Sequence, residues 1–142
     1  MLAPISAARG TVEPPASQSV DGFFGWETGS DGAPFRWTER YASLFVPSDV
    51  RHVNVQVRLP TDRLAVAPMG VEVRIAGRDE GRTLVADAWT TLSLELPDVE
   101  PRAPFTRIDF KIDRTWQPAL YLAGSADMRA VGVQVGAPQL VR

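Results

Sequence analysis

The chain of 142 residues contains no cysteine and a single histidine, His52. The absence of cysteine excludes disulfide bonds, zinc–thiolate sites and a thiol nucleophile, and it leaves the redox compartment open. One histidine excludes a metal site built from several histidines of this chain and gives no support to a histidine-dependent proton relay. The composition therefore argues against the commonest kinds of metal and nucleophilic catalysis.

The chain also lacks a long apolar run and a strong net charge. No stretch approaches the roughly 20 apolar residues that cross a bilayer, so we expect no direct membrane insertion. Residues 1–10 have no basic region followed by an apolar one, as a signal peptide would. A net charge of −2, with basic residues spread along the sequence, gives no reason to expect nucleic acid as a partner.

Motifs that organise catalysis or cofactor binding are missing as well. There is no glycine-rich phosphate loop and no nucleophile elbow. Calcium is possible at Asp79 with Glu80, or at Asp31 near Asp21, but no calcium-loop spacing supports it. We therefore predict no catalytic residue, no cofactor and no metal, and we interpret the domain as one that is not an enzyme.

What the sequence does have is the rhythm of an all-β protein. Residues 1–19 contain Pro4, Pro14 and Pro15 among small residues, which is typical of an extended arm or linker. From residue 20 to residue 142, strand-length segments alternate with turn signals about every 8–12 residues. No helical spacing of apolar residues persists along this part of the chain. We predict one β-sandwich domain over residues 20–142.

Alternation of apolar and polar residues is clearest in segments 53–59, 92–96 and 108–112. Such strands build antiparallel sheets with one face on the core and one in water. We therefore predict an antiparallel two-sheet β-sandwich of the jelly-roll (galactose-binding-like) type, with an immunoglobulin-like arrangement as the alternative. Which strands pair stays open. The predicted core contains Val53, Val55, Val57, Leu92, Leu94, Leu96, Ile108, Phe110 and Ile112.

Strand limits are predicted at both ends of the domain. The first strand should run from Val20 to Glu27, and a short strand should follow at Phe35–Thr38. A kink near Glu39 and Arg40 should then shift the parity, so that Ala42, Leu44 and Val46 share one face. The last predicted strand contains Val131, Val133 and Val135.

The four tryptophans are the most informative residues. Trp26, Trp37 and Trp116 fall at strand ends beside turns. There an indole either stacks on the apolar face of a sugar or caps the open end of a sandwich core. Trp116 is the first candidate for stacking, and Tyr41 is a further aromatic candidate. Trp89, which just precedes a strand, is interpreted as a core residue.

Charged residues near these aromatics are candidate partners for sugar hydroxyls, namely Glu27, Arg36, Asp127 and Arg129. Glu27 and Arg36 flank the turn over residues 28–34, and we predict a cross-strand ion pair between them. Asp127 is predicted to pair with Arg129 or Arg114. In the alternative interpretation both clusters are structural salt bridges.

Several short stretches within residues 20–136 resemble a known domain. Gly25-Trp26-Glu27, Phe35-Arg36-Trp37-Thr38 and Ala42-x-Leu44-x-Val46-Pro47 are similar to the opening of a β-sandwich domain appended to bacterial membrane-embedded sugar transferases. These transferases are of the dolichyl-phosphate-mannose mannosyltransferase-like type. Two later stretches are similar to the end of the same domain, namely Ile112-Asp113-Arg114-Thr115-Trp116-x-Pro118 and Asp127-x-Arg129-x-Val131-Gly132-Val133. Val131 stands where leucine is expected in that domain.

The resemblance implies a non-catalytic, carbohydrate-binding-module-like accessory domain in an extracytoplasmic location. Its partners would be a glycan or polyprenyl-linked sugar and a membrane-embedded transferase. The competing hypothesis is a structural or protein-interaction β-sandwich with no glycan ligand. Exposure of Trp26, Trp37 or Trp116 in a concave polar patch would favour the first hypothesis, whereas burial of every indole would favour the second.

Overall fold

The structure, a computed structural model, describes residues 20–97 and 103–142, so the predicted arm at residues 1–19 lies outside the described residues. The described part forms ten strands and one 3-10 turn at Pro118–Leu120. The strands are β1 (Val20–Phe23), β2 (Glu27–Thr28), β3 (Pro34–Pro47), β4 (His52–Arg58), β5 (Met69–Ile75), β6 (Arg78–Val85), β7 (Thr90–Glu95), β8 (Phe105–Ile112), β9 (Gln134–Gly136) and β10 (Gln139–Val141). The chain is all-β, as predicted.

The strands form two sheets that share β3, and all the pairings are antiparallel. The first sheet has the order β1-β3-β8-β5-β6. In the second sheet, β2 and β9 flank the first half of β3, and β4 lies between β9 and β7. β10 pairs with the start of β4, on the same side as β9. The result is a β-sandwich of jelly-roll type.

The apolar positions of the alternating strands form the core, because every second side chain of a strand points to the same face. All nine predicted core residues are at most 8% exposed, and Val53, Val55, Val57, Ile108 and Ile112 are at 0%. They belong to one hydrophobic cluster that draws on both sheets. The prediction of the core from alternation is confirmed.

The long strand β3 passes from one sheet to the other at a bend. Its residues 35–38 are buried, residues 39–41 are exposed, residues 42–44 are buried again, and only residues 45–47 alternate between partial and full burial. The predicted kink is present, but the chain continues as one strand through it instead of forming two. The pairing of β1 with β3 shifts in register beside this bend, at Gly22. Gly22 has a φ of 76°, which is unfavourable for residues with a side chain.

The predicted limits of the first and last strands need correction. β1 ends at Phe23, and pairing resumes only at Glu27 with β2. Val131 forms an isolated bridge with Trp116 instead of starting a strand, and β9 begins at Gln134. β10 was not predicted, because three residues are too few for alternation to be detected.

Candidate functional site

The outer face of the second sheet carries ordered rows of uncharged polar side chains. In antiparallel pairs, directly opposite residues project from the same face. Asn54 of β4 lies opposite Ser93 of β7 on one side and Gln139 of β10 on the other. Gln56 lies opposite Thr91 in the next row. The buried valines between these positions fix the polar residues on the outside.

The rows form the floor of a concave site of ≈ 500 Å³. Ala33 and Pro34 of the hairpin between β2 and β3 line its border together with Asp31, which is the only charged residue among the described residues that line it. Asp31 accepts a hydrogen bond from the backbone of Ala33 at 3.0 Å, within its own turn. We call this site the amide face; its polar and aromatic residues are Asn54, Gln56, Trp89, Thr91, Ser93 and Gln139.

Trp89 lies at one end of the amide face and is half-buried. The guanidinium of Arg58 lies 6.0 Å from the centre of its ring. Arg58 is held in turn by Asp87 at 2.9 Å. The indole therefore has a defined position and still lines the cavity.

His52 holds the other end of the amide face. Its Nε2 lies 3.0 Å from Asn54 Oδ1 and 2.8 Å from Ser93 Oγ. Within the part of the chain that the structure describes, the side chains of Gln56 and Gln139 make no hydrogen bond. Their amides are thus free to bind a ligand, and each offers two donors and one acceptor.

The amide face is chemically suited to a neutral, hydroxyl-bearing ligand. Neutral amides and hydroxyls can donate to and accept from hydroxyl groups without the desolvation penalty of a charge. An indole adds an apolar surface of the size of a sugar ring. The combination of apolar surface with a few convergent polar groups is typical of small-molecule sites.

Two of the predicted stacking residues, Trp37 and Trp116, are buried, at 4% and 6% exposure. Their rings contact each other edge to face at 5.7 Å, with Phe35 on one side and Tyr121 on the other. Trp116 Nε1 donates a hydrogen bond to the carbonyl of Gly132 at 2.8 Å. Both indole rings are committed to packing, which leaves them little surface for a sugar.

The predicted ion pair between Glu27 and Arg36 does not form. Glu27 lies directly opposite Phe35 in the β2–β3 ladder, so its side chain and that of Arg36 project from opposite faces. Arg36 is buried, and its guanidinium lies 4.2 Å from the centre of the Trp26 ring and 4.8 Å from that of Phe23. Trp26 is half-buried and stacks on this cation.

Glu27 pairs instead with Arg129, at 2.9 Å. Asp127 holds the same guanidinium at 2.7 Å and also accepts the backbone N–H of Arg129 at 3.0 Å, which confirms the predicted Asp127–Arg129 pair. Hydrogen bonding to Arg129 holds the pKa of Asp127 below its usual range, and the two carboxylates raise the pKa of Arg129. Arg114 is not the partner of Asp127, since its guanidinium donates to the carbonyl of Val66.

The predicted site residues therefore fall into separate places. Trp26, Glu27, Arg36, Asp127 and Arg129 gather around β2 and the first half of β3. Tyr41 lies on the outer face of the first sheet and is 59% exposed. None of the predicted site residues lines the amide face.

Trp89, which packs against the core as predicted, and the amide rows were not among the predicted site residues. The signal was in the sequence, because Asn54 and Gln56 are the polar positions of the clearest strand and Thr91 and Ser93 those of another. What alternation alone does not give is that these two strands are neighbours, so that four neutral polar side chains meet.

The described residues contain no group of three or more histidine, cysteine or acidic residues placed to hold a metal ion. They also include no helix long and apolar enough to span a membrane.

Comparisons with known proteins find likeness in structure only. No protein-family model matches the chain, and no curated protein matches it in sequence. Among solved structures, an acetyl xylan esterase (Est2A) from the rumen bacterium Butyrivibrio proteoclasticus gives a TM-score of 0.52 at 12% identity. That match covers 89% of this chain and 30% of the esterase. The chain thus spans less than a third of that enzyme.

Two smaller proteins are also similar. The CBM51 module of a Clostridium perfringens GH95 protein, solved in complex with methyl-galactose, gives a TM-score of 0.45 at 10% identity and covers 87% of this chain and 93% of that one. A CBM4 structure gives 0.40 at 10% identity, covering 84% and 76%. At these identities the likeness concerns the fold alone.

Proposed function

We propose that this chain is a non-catalytic glycan-binding module that takes a neutral sugar on its amide face. The observation that carries the proposal is the set of uncharged amide and hydroxyl side chains beside the half-buried indole of Trp89, which lines the same cavity. A fold shared with carbohydrate-binding modules is consistent with it. The non-catalytic part of the proposal rests on the sequence, in which no nucleophile, acid–base or metal motif occurs.

The side chains of the amide face fit a neutral ligand better than an ionic one. Among the residues that the structure describes, none of those lining it is basic, and Asp31 is bound to its own turn. An anionic ligand would find no counter-charge there, whereas the hydroxyls of a neutral sugar would find donors and acceptors in two rows. Affinity should be weak, about 4–6 kcal/mol, because a shallow site immobilises few groups.

The resemblance noted in the sequence extends this proposal. It supports a bacterial, extracytoplasmic accessory role beside a membrane-embedded sugar transferase, with a polyprenyl-linked sugar as a possible ligand. This part rests on the short motifs alone, since no family model matches the chain.

A structural or protein-interaction module is the second candidate. Exposed apolar side chains favour it, notably Leu64 at 91%, Leu120 at 62% and Met128 at 56%. Exposed apolar side chains mark a contact surface when they form one contiguous patch. Under this hypothesis the domain would bind no neutral glycan.

Replacing Trp89 tests the proposal. A glycan array should first identify a neutral oligosaccharide, and Trp89→Ala should then weaken its binding roughly tenfold or more, because alanine removes the stacking surface. Trp26→Ala is the matched control, since it removes an indole away from the amide face, and it should bind as the wild type does. Tryptophan fluorescence or calorimetry gives both affinities. Equal loss in the two variants, or no loss in Trp89→Ala, would contradict the proposal.

A further inference from the structure

The outer face of the first sheet carries a second cavity, of ≈ 340 Å³, with a different chemistry. Two rows of side chains cross it, one running Tyr41, Lys111 and Glu72, the other Ser43, Asp109 and Arg74. We call it the charged face. Its volume lies at the lower end of the range for small-molecule sites.

One carboxylate of the charged face is already neutralised. Asp109 accepts a hydrogen bond from Ser43 Oγ at 2.6 Å and another from Arg107 Nε at 2.6 Å. Arg74 lies opposite Asp109 in the β5–β8 ladder, yet makes no ion pair with it. Arg107 therefore neutralises the carboxylate of Asp109.

Two cations of the charged face remain available. Among the residues that the structure describes, Arg74 and Lys111 make no ion pair and no hydrogen bond, and both are exposed at the cavity. Arg82, on the far side of Glu72, is held by Asp113. The cavity therefore has an excess of positive charge, with Glu72 beside it as a hydrogen-bond acceptor.

An exposed aromatic ring completes the charged face. Tyr41 is 59% exposed, lines the cavity, and carries the Arg40 guanidinium 5.5 Å from its ring centre. A planar guanidinium and an ammonium bind a carboxylate strongly. A carboxylate acceptor suits hydroxyl groups, and an aromatic ring suits the apolar face of a sugar.

We propose that the charged face binds an acidic sugar, with the carboxylate of a uronic acid between Arg74 and Lys111. Its hydroxyls would bind Glu72 and its ring would pack on Tyr41. This site is independent of the amide face, which is formed by the other sheet and has no basic residue among the described residues that line it. The module would then have two faces that select sugars by charge.

Lys111 provides a direct probe, because it is the only lysine in the sequence. Reductive methylation with 13C-formaldehyde keeps its charge and gives one side-chain NMR signal besides that of the N-terminal amine. Galacturonic acid and galactose, or glucuronic acid and glucose, are matched pairs that differ only in the carboxylate. The uronates should shift the Lys111 signal saturably, with at least roughly tenfold higher affinity than the neutral sugars. High salt should reduce this affinity.

Three variants locate the site. Arg74→Ala should weaken uronate binding roughly tenfold, whereas Arg78→Ala, which removes an arginine paired with Glu80, should leave it unchanged. Trp89→Ala should also leave it unchanged, because Trp89 belongs to the amide face. Equal response to the neutral and acidic sugar, wild-type affinity in Arg74→Ala, or loss of uronate binding in Trp89→Ala would each overturn the proposal.

Discussion

At the scale of single residues, strand β4 shows how alternation separates stability from function. Val55 is fully buried, whereas its neighbours Asn54 and Gln56 point to the amide face. A buried side chain stabilises the fold through apolar area removed from water and through packing. The outward amide of Gln56 makes no hydrogen bond to the described protein and contributes little to stability. The two kinds of position can therefore be tested separately.

Truncation of a core residue should destabilise the sandwich. Phe110 is 2% exposed at the centre of β8, and Phe110→Ala should lower the free energy of unfolding by about 3–5 kcal/mol, because it removes apolar contact and leaves a cavity. Val55→Ala should cost about 2–4 kcal/mol. Gln56→Ala is the control and should change stability by less than about 0.5 kcal/mol. Denaturant unfolding gives all three values, and an unchanged midpoint for Phe110→Ala would refute the assigned core.

Single residues also differ in how far they could be predicted from the sequence. The buried positions followed directly from alternation, since burial has the period of a strand. Glu27 and Arg36 were paired because both flank one turn, but the register places Glu27 opposite Phe35, and a shift of one residue reverses the face. Trp89 packs against the core as predicted, but nothing in its local sequence reveals that β4 and β7 are neighbours and that it therefore also lines the amide face.

At the scale of elements, the segment between β8 and β9 is tied to β2 by charge. Arg129 bridges Asp127 of this segment and Glu27 of β2, and its guanidinium lies 5.0 Å from the centre of the Phe24 ring. The two elements are 102 residues apart at the Glu27–Arg129 contact. These charges are partly exposed, so each contact is expected to contribute modestly.

The lowered pKa of Asp127 predicts a dependence of this tie on pH. A carboxylate whose pKa is lower in the folded state than its ordinary value of 3.8 stabilises the fold above that pH, and this contribution is lost as pH falls through the folded pKa. Asp127→Asn should therefore lower the free energy of unfolding by about 1 kcal/mol at pH 6 and by much less near pH 2. Urea unfolding of both proteins across this range gives the difference.

Asp62→Asn, which alters an exposed loop carboxylate, is the matched control and should show no such trend. A difference between Asp127→Asn and the wild type that stays constant from pH 6 to pH 2 would show that the carboxylate charge does not stabilise the fold.

The elements themselves were predictable to different degrees. Strands with several alternating residues, such as β4 and β8, were found because the pattern repeats. The passage of β3 through both sheets was not predicted. A kink in the alternation does not show whether the strand goes on to pair with a different neighbouring strand. β10 was not predicted, because its pairing with β4 depends on contacts distant in sequence and not on the pattern of its three residues.

At the scale of the whole molecule, the sandwich presents two outer faces with opposite characters. The amide face is neutral and lies on the second sheet, and the charged face lies on the first. Both arise from the same rule, that the wet side of each strand carries the polar residues. The sequence allowed the fold to be predicted on this basis, but not the faces, because a face is formed by strands whose pairing alternation leaves open.

If a neutral glycan binds on the amide face, as proposed, amide NMR of the 15N-labelled protein will report the binding at the residues that form this face. On titration with the neutral oligosaccharide chosen from the array, the side-chain NH2 signals of Asn54, Gln56 and Gln139 should shift saturably together with the indole N–H of Trp89. The dissociation constant should be millimolar or somewhat lower. Shifts confined to other residues, or no saturable shift with any neutral glycan up to roughly 10 mM, would contradict the claim.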